Sequence, residues 1–409
     1  MVSPVNNFAF LGFVVPQSRF DELLATEAGM PIATHRFGWS LVRALRAAGN
    51  NVIPLSFAPA NDFPHNTRVL FRPRHHSDSA GDIRELGFIN VTGLKHVSRY
   101  FSARRALDRF AREEDLDWVI VHGTNSSILH AAAHVSRHRS FRFAAVLTDP
   151  ASMPTRFDNR LTLALKKVDR RLITSALGKA RAVVVLAPDL ASTYAPGIPA
   201  LWMEGIASAS GPSAKAAVPD RFSHLPWDRT VVYAGHLDKR YGTTDLAHAA
   251  ANTRKGWHVL FLGSGPQLNE VKACESSCDR VTYGGMVNDA ELRSIYAQAA
   301  ALVNPRRLDA DFIRFTFPSK LLEYMRSGTP VITTKLPTLP PDFVPHLYLS
   351  DHGTEGLMNS IDNFFEIPLH QRKLRSKTAK EFTEVTRSEL AQGERITQFL
   401  NSLAPSANE

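Results

Sequence analysis

The chain has 409 residues, 44% of them hydrophobic and 21% charged, with two cysteines and a formal net charge of +9. Such a length suits two domains of about 200 residues, and the composition excludes a disordered chain or one built on disulfides. No apolar run approaches the roughly 18 residues that span a bilayer. The positive charge excess calls for an anionic partner, yet no nucleic-acid motif or basic–aromatic interleaving is present, so nucleic acid is not expected. An anionic membrane surface or an anionic lipid-linked substrate fits better.

In chain order, Asn7 to Val15 reads as a first strand, apolar but without a positive leader or a cleavage site, and the chain is expected to stay in the cytoplasm. A long loop, Pro16 to His35, contains Gly29-Met-Pro-Ile-Ala-Thr34 and leads to a helix from Arg36 to Ala48, ended by Gly49. Thr34 can serve there as an N-cap, with His35 and Arg36 on the surface. Asn51 to Phe57 is the second strand. Ala58 to Tyr100, rich in Pro, His and Arg, has little periodicity; it reads as an irregular segment, either shaping a pocket or making a surface excursion. Trp118 to His122 and Arg142 to Leu147 follow as parallel strands. Ligands of open α/β sheets gather at the carboxyl ends of strands, which selects His122, Gly123 and Asn125, then Thr148 and Asp149. Asp149-Pro150 equally suits the start of a turn. His75-His76 and the His134–His138 pair lack the further ligands a metal needs.

The densest basic stretch runs from Arg156 to Arg181. Within it Leu161, Leu165, Val168 and Leu172 form one stripe, with Lys166, Lys167, Arg170 and Arg171 on the other face. A core-packed helix with a solvated outer face and a helix lying on a membrane both fit this pattern. Arg181 to Leu186 reads as the last strand of a first domain, residues 1–205. Residues 206–229, rich in Ser, Ala, Pro and Gly, read as a linker. A second domain, 230–385, follows, and a last helical stretch, about Gln371 to Leu403, is expected to return to the first domain, at least over 386–409.

In the second domain Thr230-Val-Val-Tyr-Ala-Gly-His-Leu237 is a strand with a glycine turn. His258-Val-Leu-Phe-Leu-Gly-Ser-Gly-Pro266 is a second strand with a Gly-x-Gly loop. Val281-Thr-Tyr-Gly-Gly-Met-Val287, with Glu291 and Leu292 beyond it, and Ala301-Leu-Val-Asn-Pro-Arg306 continue the series. Their spacing of roughly 20 to 30 residues suits βαβ units. Cys274 and Cys278, one helical turn apart, read as a reduced pair, and Asp309-Ala-Asp311 as a surface loop rather than a metal site. The most informative segment is Phe315-Thr-Phe-Pro-Ser-Lys-Leu-Leu-Glu-Tyr-Met-Arg-Ser-Gly-Thr-Pro-Val-Ile332. Pro318 suits the first turn of a helix, Leu321, Leu322 and Met325 recur at helical spacing, Gly328 is a stop, and Pro330 to Thr334 is a short buried strand. Lys320 and Glu323 stand at the exposed start of that helix. Free N–H groups and a lysine there can hold a phosphate, and a carboxylate one turn in can hold a sugar diol.

This segment resembles the donor motif of glycosyltransferase family 4, and its Phe-Pro-Ser-Lys-Leu-Leu-Glu-Tyr-Met form resembles a bacterial subset of it. The resemblance covers the second half of the chain in order. It implies an α/β protein of the GT-B fold, two Rossmann-like domains with parallel sheets facing across a cleft. It also implies retaining transfer of a hexose-type sugar from a nucleoside diphosphate to a hydroxyl of a bacterial glycan or lipid-linked acceptor, without cofactor or metal, at the inner face of the cell membrane. The donor residues implied are Gly235 in the glycine turn, Met286 and Val287 beside the base, Phe317, Pro318, Ser319 and Lys320 at the diphosphate, and Glu323 on the ribose. His35, Thr148 and Asp149 are implied beside the acceptor and the transferred sugar, with Thr34 and Arg36 near them. In the retaining mechanism the leaving diphosphate can take the acceptor proton, so no separate base is required. The chain departs from the family at three places. The acid of the Glu-x7-Glu pattern is Phe315, the usual Arg and Lys after the first donor strand are His236 and Tyr241, and the usual sugar-touching His is Thr148. Lys239, Arg240, Arg306 and Arg314 are the candidates to supply the missing cations. These departures also fit a non-catalytic scaffold that binds a nucleotide sugar or glycan; a nucleotide-sugar epimerase shares the architecture.

Overall fold

The structure, a computed structural model, describes residues 6–25, 30–78, 81–153, 158–208, 217–309 and 312–403. Gly29, Arg156, Asp311 and the 209–216 part of the linker, all singled out in the sequence, lie outside these segments. The chain divides into two compact units, Met1–Ile206 with Glu389–Glu409, and Ala207–Ser388.

The first unit runs β1 (Asn7–Gly12), α1 (Gln17–Leu24), α2 (Ile32–Ala47), β2 (Asn51–Ser56), β3 (Leu70–Phe71), β4 (Arg74–Asp78), β5 (Gly81–Glu85), β6 (Phe88–Ile89), α3 (Leu94–Glu113), β7 (Trp118–His122), α4 (Ser126–Val135), β8 (Arg142–Leu147), α5 (Arg160–Leu177), β9 (Ala182–Val185), α6 (Pro188–Tyr194) and β10 (Ala200–Trp202). Among the described residues eight strands form one sheet in the order β10-β9-β8-β7-β1-β2-β5-β4, and β3 pairs with β6 apart from it. The sheet is parallel except for β4 against β5. Strands such as β7 are buried along their whole length, as a parallel sheet covered by helices on both faces requires. The order reverses at β1 and β7, so the ends of those strands flank the switch point.

Four readings of this half are corrected. The Pro16–His35 loop contains α1, which turns Arg19, Phe20 and Leu23 inward; in eight residues, with Leu24 exposed and a buried arginine, too little periodicity builds up to show in the sequence. The following helix starts at Ile32 rather than Arg36, with Pro31 preceding it, so Thr34 lies inside the helix and caps nothing. The first strand stops at Gly12. The segment 58–100 is not irregular: it supplies β3 to β6 and the first turns of α3, and its strands are so short that no alternation builds up.

The second unit runs β11 (Thr230–Ala234), α7 (Thr243–Asn252), β12 (His258–Leu262), α8 (Leu268–Ser277), β13 (Val281–Gly285), α9 (Asp289–Gln298), β14 (Ala301–Asn304), α10 (Lys320–Ser327), β15 (Val331–Thr334), β16 (Tyr348–Ser350), α11 (Gly353–Glu366) and α12 (Leu369–Thr386). Its sheet is parallel in the order β13-β12-β11-β14-β15-β16, the doubly wound dinucleotide-binding order, with the switch point between β11 and β14. Trp257, Phe261, Tyr348 and Phe364 are the large members of its core. The last helical stretch is two helices. The first, α12, packs against α10 in the second unit, whereas α13 (Glu389–Ser402) packs on α2 in the first.

Candidate functional site

At the carboxyl ends of β11, β12 and β13 three loops are laced together by backbone hydrogen bonds. The N–H of Gly235 donates to Leu262 O at 2.8 Å, that of Gly263 to Gly285 O at 2.8 Å, and that of Leu237 to Ser264 O at 2.9 Å. The loops approach so closely that a Cβ on Gly263, whose φ is +124°, would meet Gly235 O at 1.9 Å, and one on Gly265 would meet Leu237 O at 2.3 Å. Both positions of the Gly-x-Gly are therefore steric requirements. The loops surround a pocket of about 240 Å³ lined by Gly235, His236, Gly263, Ser264, Met286, Val287, Leu292 and Lys320, among others. Gly235, Met286, Val287 and Lys320 were singled out from the sequence, and the structure brings them together here. The Met286 side chain is 73% exposed, an apolar group at the rim that a flat ring can cover.

Lys320 reaches the pocket because α10 is fixed to β11. Leu321, Leu322, Tyr324 and Met325 are buried, leaving Glu323 exposed, and Gly328 ends the helix at φ +77°. The Tyr324 hydroxyl donates to Ala234 O and accepts from Ala234 N–H, both at 3.1 Å. One turn earlier Lys320 extends over the adjoining loop, where a Cβ on Gly235 would lie 3.5 Å from Lys320 Cε. The helix begins at Lys320, with Ser319 at its N-cap, so Pro318 stands just before it and its carbonyl accepts from Leu321 N–H. Phe317 is buried, edge-on to Phe343. Tyr324 and Tyr233 were missed in the sequence. The Tyr233 hydroxyl donates to His236 O at 2.8 Å and backs the Gly235 turn. Each looks like an ordinary core aromatic until its hydroxyl is seen to hold a strand end.

The candidate cations are not equivalent. Arg240 is committed: its guanidinium is bidentate on Asp238 at 2.9 and 2.8 Å and lies against Tyr241 and Phe312. Lys239 is exposed in the 3₁₀ turn 239–241, outside the pocket lining. Arg306, just beyond β14 at the switch point, stacks 4.9 Å over the Tyr241 ring and donates to Thr316 Oγ1 at 3.1 Å. His236 meets the other side of that arrangement, with its ring 6.3 Å from Tyr241 and edge-on to it. Tyr241 thus carries Arg306 on its face where the family pattern places a lysine. Phe315 is buried in the 3₁₀ turn 313–315, and Arg314 lies over its ring at 4.7 Å. Asp309 is engaged by Arg307, which also binds Asp245. This pairing holds the Asp309 carboxyl below its ordinary range. Among the described residues no group of three or more His, Cys, Asp or Glu side chains gathers to hold a metal ion.

In the first unit Thr148 and Asp149 follow β8, with Thr148 Oγ1 donating to Asp149 Oδ2 at 2.9 Å. His35 does not face solvent, contrary to the sequence expectation. It is buried in α2, stacked on Phe20 with ring centres 3.8 Å apart, and its Nε2 lies 3.0 Å from Val15 O. Burial lowers its pKa, and its stacking on Phe20 packs α2 against α1. His122, at the end of β7, is wholly buried beside Phe10, Phe37 and Gly38; neither ring nitrogen has a hydrogen-bond partner among the described residues, and burial pushes its pKa down to about 4. In α5 only Ile173, Ala176 and Leu177 are buried, so the turns from Leu161 to Leu172 stand in water with their apolar stripe exposed.

Two Rossmann-like α/β units in this order define the GT-B fold. Comparison with known proteins agrees: residues 228–364 match the profile described as Glycosyl transferases group 1. No curated protein matches the sequence. Among solved structures, the chain is similar to sucrose-phosphate synthase (tll1590) from Thermosynechococcus elongatus, at 17% identity over 97% of this chain and 99% of that one, with a TM-score of 0.62. It is similar to Anabaena Alr3699/HepE in complex with UDP, at 13% identity over 97% and 100% of the two chains, with a TM-score of 0.64. It is also similar to the lipopolysaccharide outer core galactosyltransferase WaaB, at 15% identity over 97% and 100%, with a TM-score of 0.60. The match of residues 228–364 to Glycosyl transferases group 1, together with the fold, supports an enzyme of the nucleotide-sugar-dependent glycosyltransferase class.

Proposed function

We propose that the protein transfers a hexose-type sugar from a nucleoside diphosphate to a hydroxyl of a bacterial glycan or lipid-linked acceptor, with retention, in the manner of family 4. The observation that carries this reading is Lys320, placed over Gly235 at the mouth of a pocket formed by three glycine-bearing strand ends. In this reading the base lies against Met286 and Val287, Glu323 takes the ribose hydroxyls, and the diphosphate rests between the start of α10 and the Gly235 turn. Lys320, Arg306 and the helix N-terminus counter its charge as it departs, a role for which fixed cations and N–H groups suffice without a metal. Thr148 and Asp149 are assigned to the acceptor side. Complexes of similar structures contain UDP, UDP-glucose, and UDP with glucose, which makes uridine donors the first to test.

The acceptor is proposed to be presented at the inner face of the cell membrane, with α5 lying on the anionic surface. Its exposed Leu161, Leu165, Val168 and Leu172 would enter the headgroup layer, and Lys167 and Arg171, on the flank of the helix, would meet lipid phosphates, while Arg170 lies against Tyr194. A panel of nucleotide sugars in thermal-shift measurements, followed by release of free nucleoside diphosphate, tests the donor reading. Stabilisation by one donor with slow hydrolysis is expected; no stabilisation by any donor overturns it. A scaffold is the second reading, favoured by the buried Phe315 where the family has an acid. Tight donor binding with no turnover under any acceptor condition would select it.

A further inference from the structure

Helix α3 buries two cations in its first turns, ahead of the apolar Ala103, Leu107 and Phe110 on the same face. Its sheet-facing side buries Lys95 and Arg99, whereas Leu94, Val97 and Phe101 on the opposite stripe are 54%, 53% and 49% exposed. Spacings of three and four residues place these on one face. The inward cations are accommodated: Lys95 Nζ reaches Ala60 O and Asp62, and the Arg99 guanidinium lies 4.3 to 5.5 Å from the ring centres of Phe13, Phe57 and Phe88. The apolar stripe outside has no such account. It continues onto the β3–β6 pair, where Leu70 and Ile89 are directly opposite each other and both exposed, and Ile89 N–H is bonded to Ser98 Oγ of α3.

Charge indicates what would cover this surface. Arg72, His96, Arg104 and Arg105 are exposed around it, and residues 86–107 contain no Asp or Glu. Arg104 and Arg105 follow Phe101 by three and four residues and so prolong the same stripe with cations. Apolar groups bordered by arginine, with Asp108 beside Arg104 as the first carboxylate along the helix, suit an interface of acyl chains and anionic headgroups. An anionic lipid surface offers negative charge to all of those cations at once, whereas a protein surface of mixed charge meets them only where its carboxylates happen to fall. Helix α3 contacts α4 and α4 contacts α5, so α3 and α5 belong to one run of neighbouring helices in the first unit.

We infer that the surface formed by α3 and the β3–β6 pair is a second bilayer-docking site, binding anionic lipid alongside α5; the inference rests on the membrane reading of the proposed function. Full-length protein is sedimented with phosphatidylcholine vesicles with and without phosphatidylglycerol. Val97→Asp with Phe101→Asp should lower binding to the anionic vesicles at least fivefold, and Arg104→Glu with Arg105→Glu should do the same while leaving the already weak binding to neutral vesicles unchanged. Circular dichroism and donor thermal shift should stay as in the parent. Leu165→Asp with Val168→Asp tests α5 separately. Undiminished binding by the α3 variants overturns this inference. If the α5 variant alone loses binding, the α5 reading survives that result. Loss in the α3 variants but not the α5 variant keeps this site and removes α5. A change of oligomeric state in the α3 variants, by light scattering, with vesicle binding intact would make the surface a protein interface and overturn the inference.

Discussion

The Tyr324 hydroxyl holds both backbone polar groups of Ala234, at 3.1 Å each, and this pair of hydrogen bonds fixes the start of α10 relative to the end of β11. Four residues separate Tyr324 from Lys320, one helical turn, so the lysine that reaches the Gly235 turn is placed by a tyrosine that does not touch the pocket. Tyr324→Phe keeps the ring and removes only the hydroxyl. It should cost about 1–2 kcal/mol of stability. Affinity for a nucleoside diphosphate should fall more than affinity for the nucleoside. Isothermal titration with the two ligands checks this; equal losses would show that the tyrosine is merely structural.

Gly263 is expected to be among the least replaceable residues of the second unit. Gly263→Ala places a methyl against Gly235 O and forces a side chain into φ +124°, so a loss of about 3 kcal/mol and of donor binding is expected. Gly256 has a positive φ of +68° but nothing within 4 Å of its missing Cβ. Gly256→Ala should therefore cost only about 1–2 kcal/mol, the strain of the left-handed conformation, and spare the pocket. Urea unfolding of the two variants separates crowding from strain.

These two cases show how much of the site was legible in the sequence. The strand–glycine segments of the second half could be read because parallel strands are buried on both faces and their turns need glycine. Lys320 follows from that frame, and Met286 and Val287 from the family resemblance laid over it. Tyr324 and Arg306 could not be read in full: the tyrosine's role depends on where its hydroxyl lands, and the arginine's on the ring of Tyr241, residues far away in the chain. The first half was less legible. His35 sits beside a loop in sequence but beside Phe20 in space, and α1 and the short strands after β2 are too brief to show a period. The first turns of helix α3 break the usual pattern, with Lys95 and Arg99 inside ahead of Ala103, Leu107 and Phe110.

Lys320→Ala and Glu323→Ala should separate the two parts of the proposed donor contact. A charge-assisted hydrogen bond contributes about 1.5–3 kcal/mol. Loss of Lys320 should thus weaken nucleoside diphosphate binding by roughly 10- to 150-fold and barely affect the nucleoside. Loss of Glu323 should weaken both, since the ribose is common to them. Because Glu323 is exposed, its removal should leave the unfolding midpoint nearly unchanged. Unchanged affinity of Glu323→Ala for both ligands, measured by calorimetry, would reject the ribose assignment.

His122 should make the first unit acid-sensitive. Its pKa is about 4 in the folded chain because burial without a hydrogen-bond partner disfavours the imidazolium, against an ordinary 6.5. The unfolded chain therefore binds the proton first, and stability rises with pH across this interval. The contribution is fully present above pH 6.5 and is lost as pH falls toward 4, amounting to roughly 3 kcal/mol. His35, also pushed down by burial, acts in the same direction. His122→Leu removes the titrating group while keeping an apolar side chain beside Phe10 and Phe37. Its unfolding free energy should depend less on pH between 6.5 and 4 than that of the parent, whatever its absolute stability. Parallel slopes for the two proteins would mean that His122 finds a proton partner that offsets its burial.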